Sequence, residues 1–169
     1  MDFLIVLMLI FAAYLGFAYY FWQREQGSAQ VYDERQEQAR GVAYKHGFFT
    51  LAVSIWLFSQ FGDALPWIGV EAGGFLCVDL GVTAFAVTAV WKDAYLGLHK
   101  RPERTMAALA LGGIGCLCLS GFYIRKEGLL VDGTLNLWAV VTAASLSDLL
   151  VLTAFLHRRF RARREEDEV

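Results

Sequence analysis

The chain has 169 residues and a formal net charge of −2, yet it is 57% hydrophobic and only 19% charged, with a mean hydropathy of +0.43. Soluble globular proteins carry roughly 25% charged residues, and here the charges cluster and leave long apolar segments between them. This composition excludes an ordinary soluble domain. We therefore expect an all-α integral membrane protein.

The first apolar segment, residues 3–22, contains no charged side chain. A run of about 20 apolar residues is what a hydrocarbon core of roughly 30 Å requires. The segment follows an acidic residue, Asp2, and ends in the aromatic cluster 19–22, which is typical of a membrane interface. We therefore predict a retained helix and not a cleaved signal peptide.

A polar stretch follows and runs directly into the next apolar segment. Asp33, with Gln36 three residues later, has the spacing of a helix-capping pair, and no proline occurs between it and Pro66. We predict one helix with a cytoplasmic extension at 33–46 that continues into a second span at 47–67. The candidate cytoplasmic face of this extension consists of Asp33, Glu34, Arg35, Arg40 and Lys45.

The same stretch carries a recognisable pattern: Tyr32-Asp33-Glu34-Arg35-Gln36, then Arg40, Ala43-Tyr44-Lys45 and Phe48-Phe49. It resembles a segment of small bacterial multi-span membrane proteins, in which an Asp-Glu-Arg motif follows the first span. The resemblance covers residues 32–49 and the multi-span outline. It implies a bacterial membrane location and no particular activity.

Three more apolar segments are predicted to span the membrane, at about 72–91, 105–124 and 134–156. The turn before the first of them contains Pro66, which breaks a helix, and Trp67, which is typical of a membrane interface. Both residues predict a tight helical hairpin at this point. With the two earlier segments, the chain has five predicted transmembrane helices.

The basic residues predict the orientation of these five helices. Thirteen of the 15 Lys and Arg residues fall in segments that share one side, namely 23–46, 92–104 and the charged tail 157–169. The other two, Arg125 and Lys126, fall on the opposite side. Because basic residues of short loops stay in the cytoplasm, we predict an N-terminus outside and a cytoplasmic C-terminus.

Two carboxylates fall inside predicted spans, Asp79 and Asp148. An aspartate at mid-membrane costs about 2.5–3.5 kcal/mol on insertion scales, so it usually faces a partner or a water-filled cavity. With Thr83 near Asp79, and with Ser145 and Ser147 near Asp148, the pair is a candidate proton or cation site. The alternative is that each holds helices together by hydrogen bonding. Measured from the predicted outer ends of their spans, Asp79 and Asp148 differ in depth by about 9 Å.

Small residues recur every fourth position in the fourth span, at Ala108, Gly112, Cys116 and Ser120. Such a face lets two helix backbones approach each other closely. The partner is either another span of this chain or a second copy of it. Gly73, Cys77 and Gly81 give the third span a similar face.

Features of enzymes and metal sites are absent from the sequence. The cysteines lie in apolar segments, no histidine has another histidine or a cysteine four residues away, and no nucleotide-binding, metalloprotease or hydrolase motif occurs. We expect no enzymatic activity, no metal and no cofactor. The basic tail, which turns acidic at its end, predicts contact with anionic lipids and no nucleic-acid binding.

These features predict a non-enzymatic protein of the bacterial cytoplasmic membrane. It would act as an accessory or regulatory subunit, or as a homo-oligomer, through helix packing and a charged cytoplasmic face. The alternative is a small carrier or channel that uses Asp79 and Asp148.

Overall fold

The computed structural model describes residues 33–95 and 102–167, and these form four α-helices and one two-stranded antiparallel sheet. The predicted first span, 3–22, lies outside the described residues. In chain order the elements are α1 (Glu34–Phe61), a 3-10 turn (Gly62–Ala64), α2 (Val70–Trp91), α3 (Pro102–Glu127), β1 (Leu130–Val131), β2 (Thr134–Leu135) and α4 (Leu137–Asp167). The fold is all-α apart from this small hairpin.

Three of the described helices are long and apolar enough to cross a membrane: α2, α3 from Met106 to Glu127, and α4 from Leu137 to Arg161. They carry the predicted spans 72–91, 105–124 and 134–156. The predicted span 47–67 falls on α1 and the turn after it. The apolar part of α1 begins near Gly47 and ends at Phe61. It therefore covers only about 22 Å at 1.5 Å per residue. This length is less than that of a hydrocarbon core of about 30 Å.

The four described helices pack in the order α1, α2, α4, α3. The helices α1 and α2 form one antiparallel hairpin, and α3 and α4 form another, so that α2 and α4 lie in contact and run in the same direction. We call the end with residues 33–40, 91–95 and 155–161 the basic end. The opposite end, with residues 62–69 and 128–136, is the hairpin end.

Two glycines bring α1 and α2 into close contact. A Cβ atom added at Gly47 would lie 2.8 Å from the Phe85 Cβ and 3.0 Å from the Gly81 carbonyl oxygen. One added at Gly81 would lie 2.8 Å from the Leu51 Cβ. Only a residue without a side chain fits at either position. Gly73 and Cys77, from the same predicted small face, are also buried.

The glycine contact fixes the register of α1 along α2. Toward the basic end from Gly47, the Tyr44 ring stacks on Phe85 at 4.7 Å, and His46 Nδ1 lies 3.2 Å from Thr88 Oγ1. Gln36 donates to the Asp93 carbonyl oxygen at 3.0 Å. The polar residues 36–46 therefore lie alongside the second half of α2 instead of projecting beyond its end.

The hairpin end is closed by the turn Val131-Asp132-Gly133-Thr134. Asp132 and Gly133 both have positive φ, 50° and 79°, the conformation of the tight Asp-Gly hairpin turn. Because β2 occupies residues 134–135, α4 begins at Leu137 and not at the predicted residue 134. The Leu135 N–H donates to the Trp67 carbonyl oxygen at 2.7 Å, which ties this hairpin to the α1–α2 turn.

Asn136 joins the hairpin to both α3 and α4. Its side-chain oxygen accepts from the Trp138 N–H at 3.2 Å, and its amide donates to Glu127 at 3.3 Å. Deeper along α3 and α4, Thr142 donates to Ser120 Oγ at 2.9 Å, and the rings of Tyr123 and Trp138 stack at 4.1 Å. This second helical hairpin is therefore held by polar and aromatic contacts near one end.

The glycine contact predicts a selective effect of adding one methyl group. Gly81→Ala should lower the free energy of unfolding by about 1–3 kcal/mol, because the new Cβ meets Leu51 and the backbone of α1 cannot retreat without losing contacts. Gly74→Ala on the same helix is the matched control, because no atom of a described residue lies within 4 Å of its added Cβ. The measurement is reversible unfolding of the purified protein in mixed detergent micelles. Equal losses in both variants would contradict the close approach of α1 and α2.

Candidate functional site

The helices α2 and α4 meet at Asp79, near the middle of α2. Asp79 is nine residues after Val70, so it lies about 14 Å along the helix. Its side chain is half-buried, and its Oδ2 accepts a hydrogen bond from Ser147 Oγ of α4 at 2.6 Å. A polar contact thus joins these two helices where their surroundings are otherwise apolar.

Asp148 follows Ser147 directly, and because the Ser147 hydroxyl donates to Asp79, the two aspartates lie at nearly the same level along α2 and α4. One residue corresponds to about 1.5 Å of helix rise. The stagger of about 9 Å expected from the sequence is therefore wrong. It assumed spans that begin at residues 72 and 134, whereas α2 begins at Val70 and β2 delays the start of α4 to Leu137. Together these two differences account for about 7.5 Å.

The other two predicted members of this polar site lie differently. Thr83 is half-buried one turn beyond Asp79, but within the described chain the hydroxyl that reaches Asp79 is that of Ser147. Ser145 is buried and donates to the Val141 carbonyl oxygen of its own helix at 2.7 Å. Its backbone oxygen faces Gly113 of α3. Ser145 thus belongs to the α3–α4 contact.

Asp148 differs from Asp79 in its exposure. It is exposed, and among the described residues it has no hydrogen-bond or ion-pair partner. The apolar part of each of α2, α3 and α4 contains no Lys or Arg. An exposed carboxyl group at this depth attracts a proton, a cation or a hydrogen-bond donor from outside the described bundle. The described residues contain no group of three metal-binding side chains.

Four of the five residues of the predicted cytoplasmic face lie at the basic end, whereas Lys45 lies two residues before Gly47, near the level of the middle of α2. Asp33 caps α1, because its Oδ1 accepts from the Gln36 N–H at 2.6 Å. Glu34, Arg35 and Lys45 are exposed. Arg40 is half-buried, lies 5.9 Å from the centre of the Tyr44 ring and donates to the Tyr44 hydroxyl at 3.3 Å.

Asp93 joins three helices at the basic end. Its carboxylate accepts two hydrogen bonds from the guanidinium of Arg158 in α4, and its carbonyl oxygen accepts from Gln36 of α1. Arg158 also donates to the Trp91 carbonyl oxygen. Asp93 has a φ of 55°, which places it just past the end of α2 in a left-handed turn. A bidentate Arg–carboxylate pair fixes geometry better than a single-contact pair does.

The residues of the predicted small face of the fourth span, which is α3, differ in their burial. Ser120 is buried against α4, whereas Ala108, Gly112 and Cys116 are exposed. The glycine of α3 that contacts α4 is Gly113, whose added Cβ would lie 3.2 Å from Leu149. Through most of its length this predicted face therefore does not contact another described helix.

Sequence reasoning did not single out Asp93, and it assigned Gln36 only to the cap at Asp33. The signal for Asp93 is a weak one: an acidic residue two positions after the aromatic end of an apolar span, with a basic residue between them. Gln36 was expected to complete the cap at Asp33, but its side chain reaches α2 instead. Both contacts depend on the helix register, which the pattern of residues does not contain.

Comparison of the chain with protein-family models, with curated proteins and with solved structures gives no match. The resemblance of residues 32–49 to small bacterial multi-span proteins stays a prediction.

The Asp79–Ser147 hydrogen bond predicts energetic coupling between α2 and α4. In a double-mutant cycle, Asp79→Leu and Ser147→Ala should show a coupling energy of about 0.5–1.5 kcal/mol. The cycle cancels the benefit of removing a carboxylate from an apolar region, and unfolding in detergent provides the four free energies. The control cycle pairs Asp79→Leu with Ser145→Ala, whose hydroxyl bonds its own helix. Coupling no larger than in the control would show that the hydrogen bond does not form.

Proposed function

We propose that this chain is a non-enzymatic, five-span protein of the bacterial cytoplasmic membrane that acts as an accessory subunit of another membrane protein. The observation that carries the proposal is the exposed carboxyl group of Asp148 within the apolar part of α4. Ionisable residues inside the membrane are expensive and normally face a partner or a water-filled cavity. A polar or basic side chain of a second protein would satisfy Asp148.

The packing of the described helices supports this reading. Only 11% of the residues in an apolar 18-residue stretch of α3 are buried. Ala108, Gly112 and Cys116 of this helix are exposed. In lipid the hydrophobic effect does not drive apolar helices together, so their association depends on close van der Waals packing. Small exposed residues allow another helix to approach closely enough for such packing. The outer surface of α3 and the surface around Asp148 thus both suit contact with a partner.

The test is purification of the tagged chain from native membranes, followed by identification of the bound proteins. Asp148→Leu should reduce recovery of a specific partner by about tenfold, the equivalent of one or two buried polar contacts. Asp132→Asn is the control, because Asp132 is exposed in the hairpin turn. Undiminished recovery with Asp148→Leu would rule out Asp148 as the contact to that partner.

The proposed orientation places the N-terminus outside and the basic end in the cytoplasm. It is supported by the position of basic residues: Arg35, Lys92 and Arg158 lie at the basic end, and Arg125 and Lys126 lie near the hairpin end. A reporter that works only in the cytoplasm should be active when fused after Val169. The same reporter inserted between Asp132 and Gly133 should be inactive. The reverse pattern at normal expression would invert the orientation.

A second candidate function, a small carrier or channel, is favoured by the proximity of Asp79 and Asp148. Two carboxyl groups and the Ser147 hydroxyl at one level of the bundle offer oxygen atoms that a proton or cation requires. In proteoliposomes, Asp79→Asn and Asp148→Asn should each abolish an ion or proton flux seen with the parent chain. Parent vesicles that are no more permeable than empty ones would eliminate this candidate.

A further inference from the structure

The basic end contains a cavity of about 440 Å³ between α1, α2 and α4. Three basic side chains line it, Arg35 from α1, Lys92 from the end of α2 and Arg158 from α4. The wall between them is formed by the Trp91 ring and by the small apolar side chains of Ala39 and Val42. Its volume is within the range of about 300–1,000 Å³ that small-molecule sites occupy.

The cavity has more positive than negative charge among the residues that the structure describes. Arg158 is engaged by the Asp93 carboxylate and the Trp91 carbonyl oxygen. Arg35 and Lys92 are exposed, and neither makes a hydrogen bond or an ion pair with a described residue. No acidic side chain of the described chain lines the cavity. Arg35 and Lys92, which have no ionic partner among the described residues, therefore line a common space.

The position of the cavity matches the boundary of a membrane. The apolar sequence of α2 ends at Trp91, and a lysine follows it directly. On α4, Arg158 follows the apolar stretch, and the neighbouring His157 ring lies 5.5 Å from that of Trp91. Tryptophan and basic residues at the ends of spans mark the level of the lipid headgroups. A phosphate at this level would meet Arg35 and Lys92.

We propose that this cavity binds the phosphate group of an anionic phospholipid. Arg35 and Lys92 supply the charged contacts, because guanidinium and ammonium groups are the usual donors to phosphate oxygens. Trp91, Ala39 and Val42 contact the glycerol and the first part of the acyl chains. Among the described residues of the charged tail 157–169, only Arg158 lines the site. It rests on the proposed membrane insertion of α2 and α4, but on neither the proposed partner nor the proposed orientation.

The test measures lipid binding to the purified full-length chain by native mass spectrometry in detergent. Phosphatidylglycerol is the probe, and phosphatidylcholine and inorganic phosphate are the comparisons. The parent chain should bind one phosphatidylglycerol with higher affinity than further copies, and should prefer it to phosphatidylcholine. Replacing both cations, Arg35→Gln with Lys92→Gln, should weaken this first binding step by about tenfold or more.

The control for charge alone is Arg125→Gln with Lys126→Gln, which removes the same charge near the hairpin end and should change affinity less than about twofold. A second variant, Ala39→Phe, fills the cavity without changing its charge and should also weaken the first step. Melting curves of each variant verify that it is folded.

Equal weakening by the two charge variants, or no effect of Ala39→Phe, would overturn the proposed site in favour of general attraction to a basic surface. Competition by inorganic phosphate at similar concentration would identify a free anion as the ligand and overturn the assignment to a lipid. Since the isolated chain is measured, failure here is distinguishable from failure to find a protein partner.

Discussion

The arrangement of the described helices depends on the approach of α1 to α2 at Gly47 and Gly81. With any larger residue, a Cβ atom would meet Phe85 or Leu51 at 2.8 Å, so the two helices would separate or slide. Their register brings Gln36 to Asp93, and Asp93 in turn holds Arg158 of α4. The close contact between α1 and α2 thus determines which residues meet at the basic end.

The same register has a consequence for the membrane. Gly81 lies ten residues before Trp91, or about 15 Å along α2. Gly47 is therefore level with the middle of α2, and the polar residues 36–46 lie beside the half that leads to the basic end. Long side chains such as Lys45 can reach the interface from there by extending along the helix. The cavity between Arg35 and Lys92 lies in this polar region, which supports the proposal that lipid headgroups enter it.

The lengths of the apolar runs and the Asp33 cap predicted the local features, and they did so for clear physical reasons. The membrane-spanning parts of α2, α3 and α4 follow from the lengths of the apolar segments in the sequence. The start of α1 follows from the Asp33 cap. The hairpin at 130–135 was missed, although Asp132-Gly133 is a strong hairpin signal. This omission also misplaced Asp148 relative to Asp79. The contacts of Asp93 with Gln36 and Arg158 could not be predicted, because they join helices that are distant in sequence.

The register of α1 along α2 is tested most directly by cross-linking in membranes. His46 and Thr88 have side-chain atoms 3.2 Å apart, so a chain with cysteine at both positions, and with its native cysteines replaced by alanine, should cross-link rapidly on mild oxidation. A matched chain with cysteines at Thr50 and Thr88, one helical turn out of register, should cross-link slowly. Faster cross-linking of the second pair would show that the polar half of α1 lies beyond the end of α2 and would contradict the described packing.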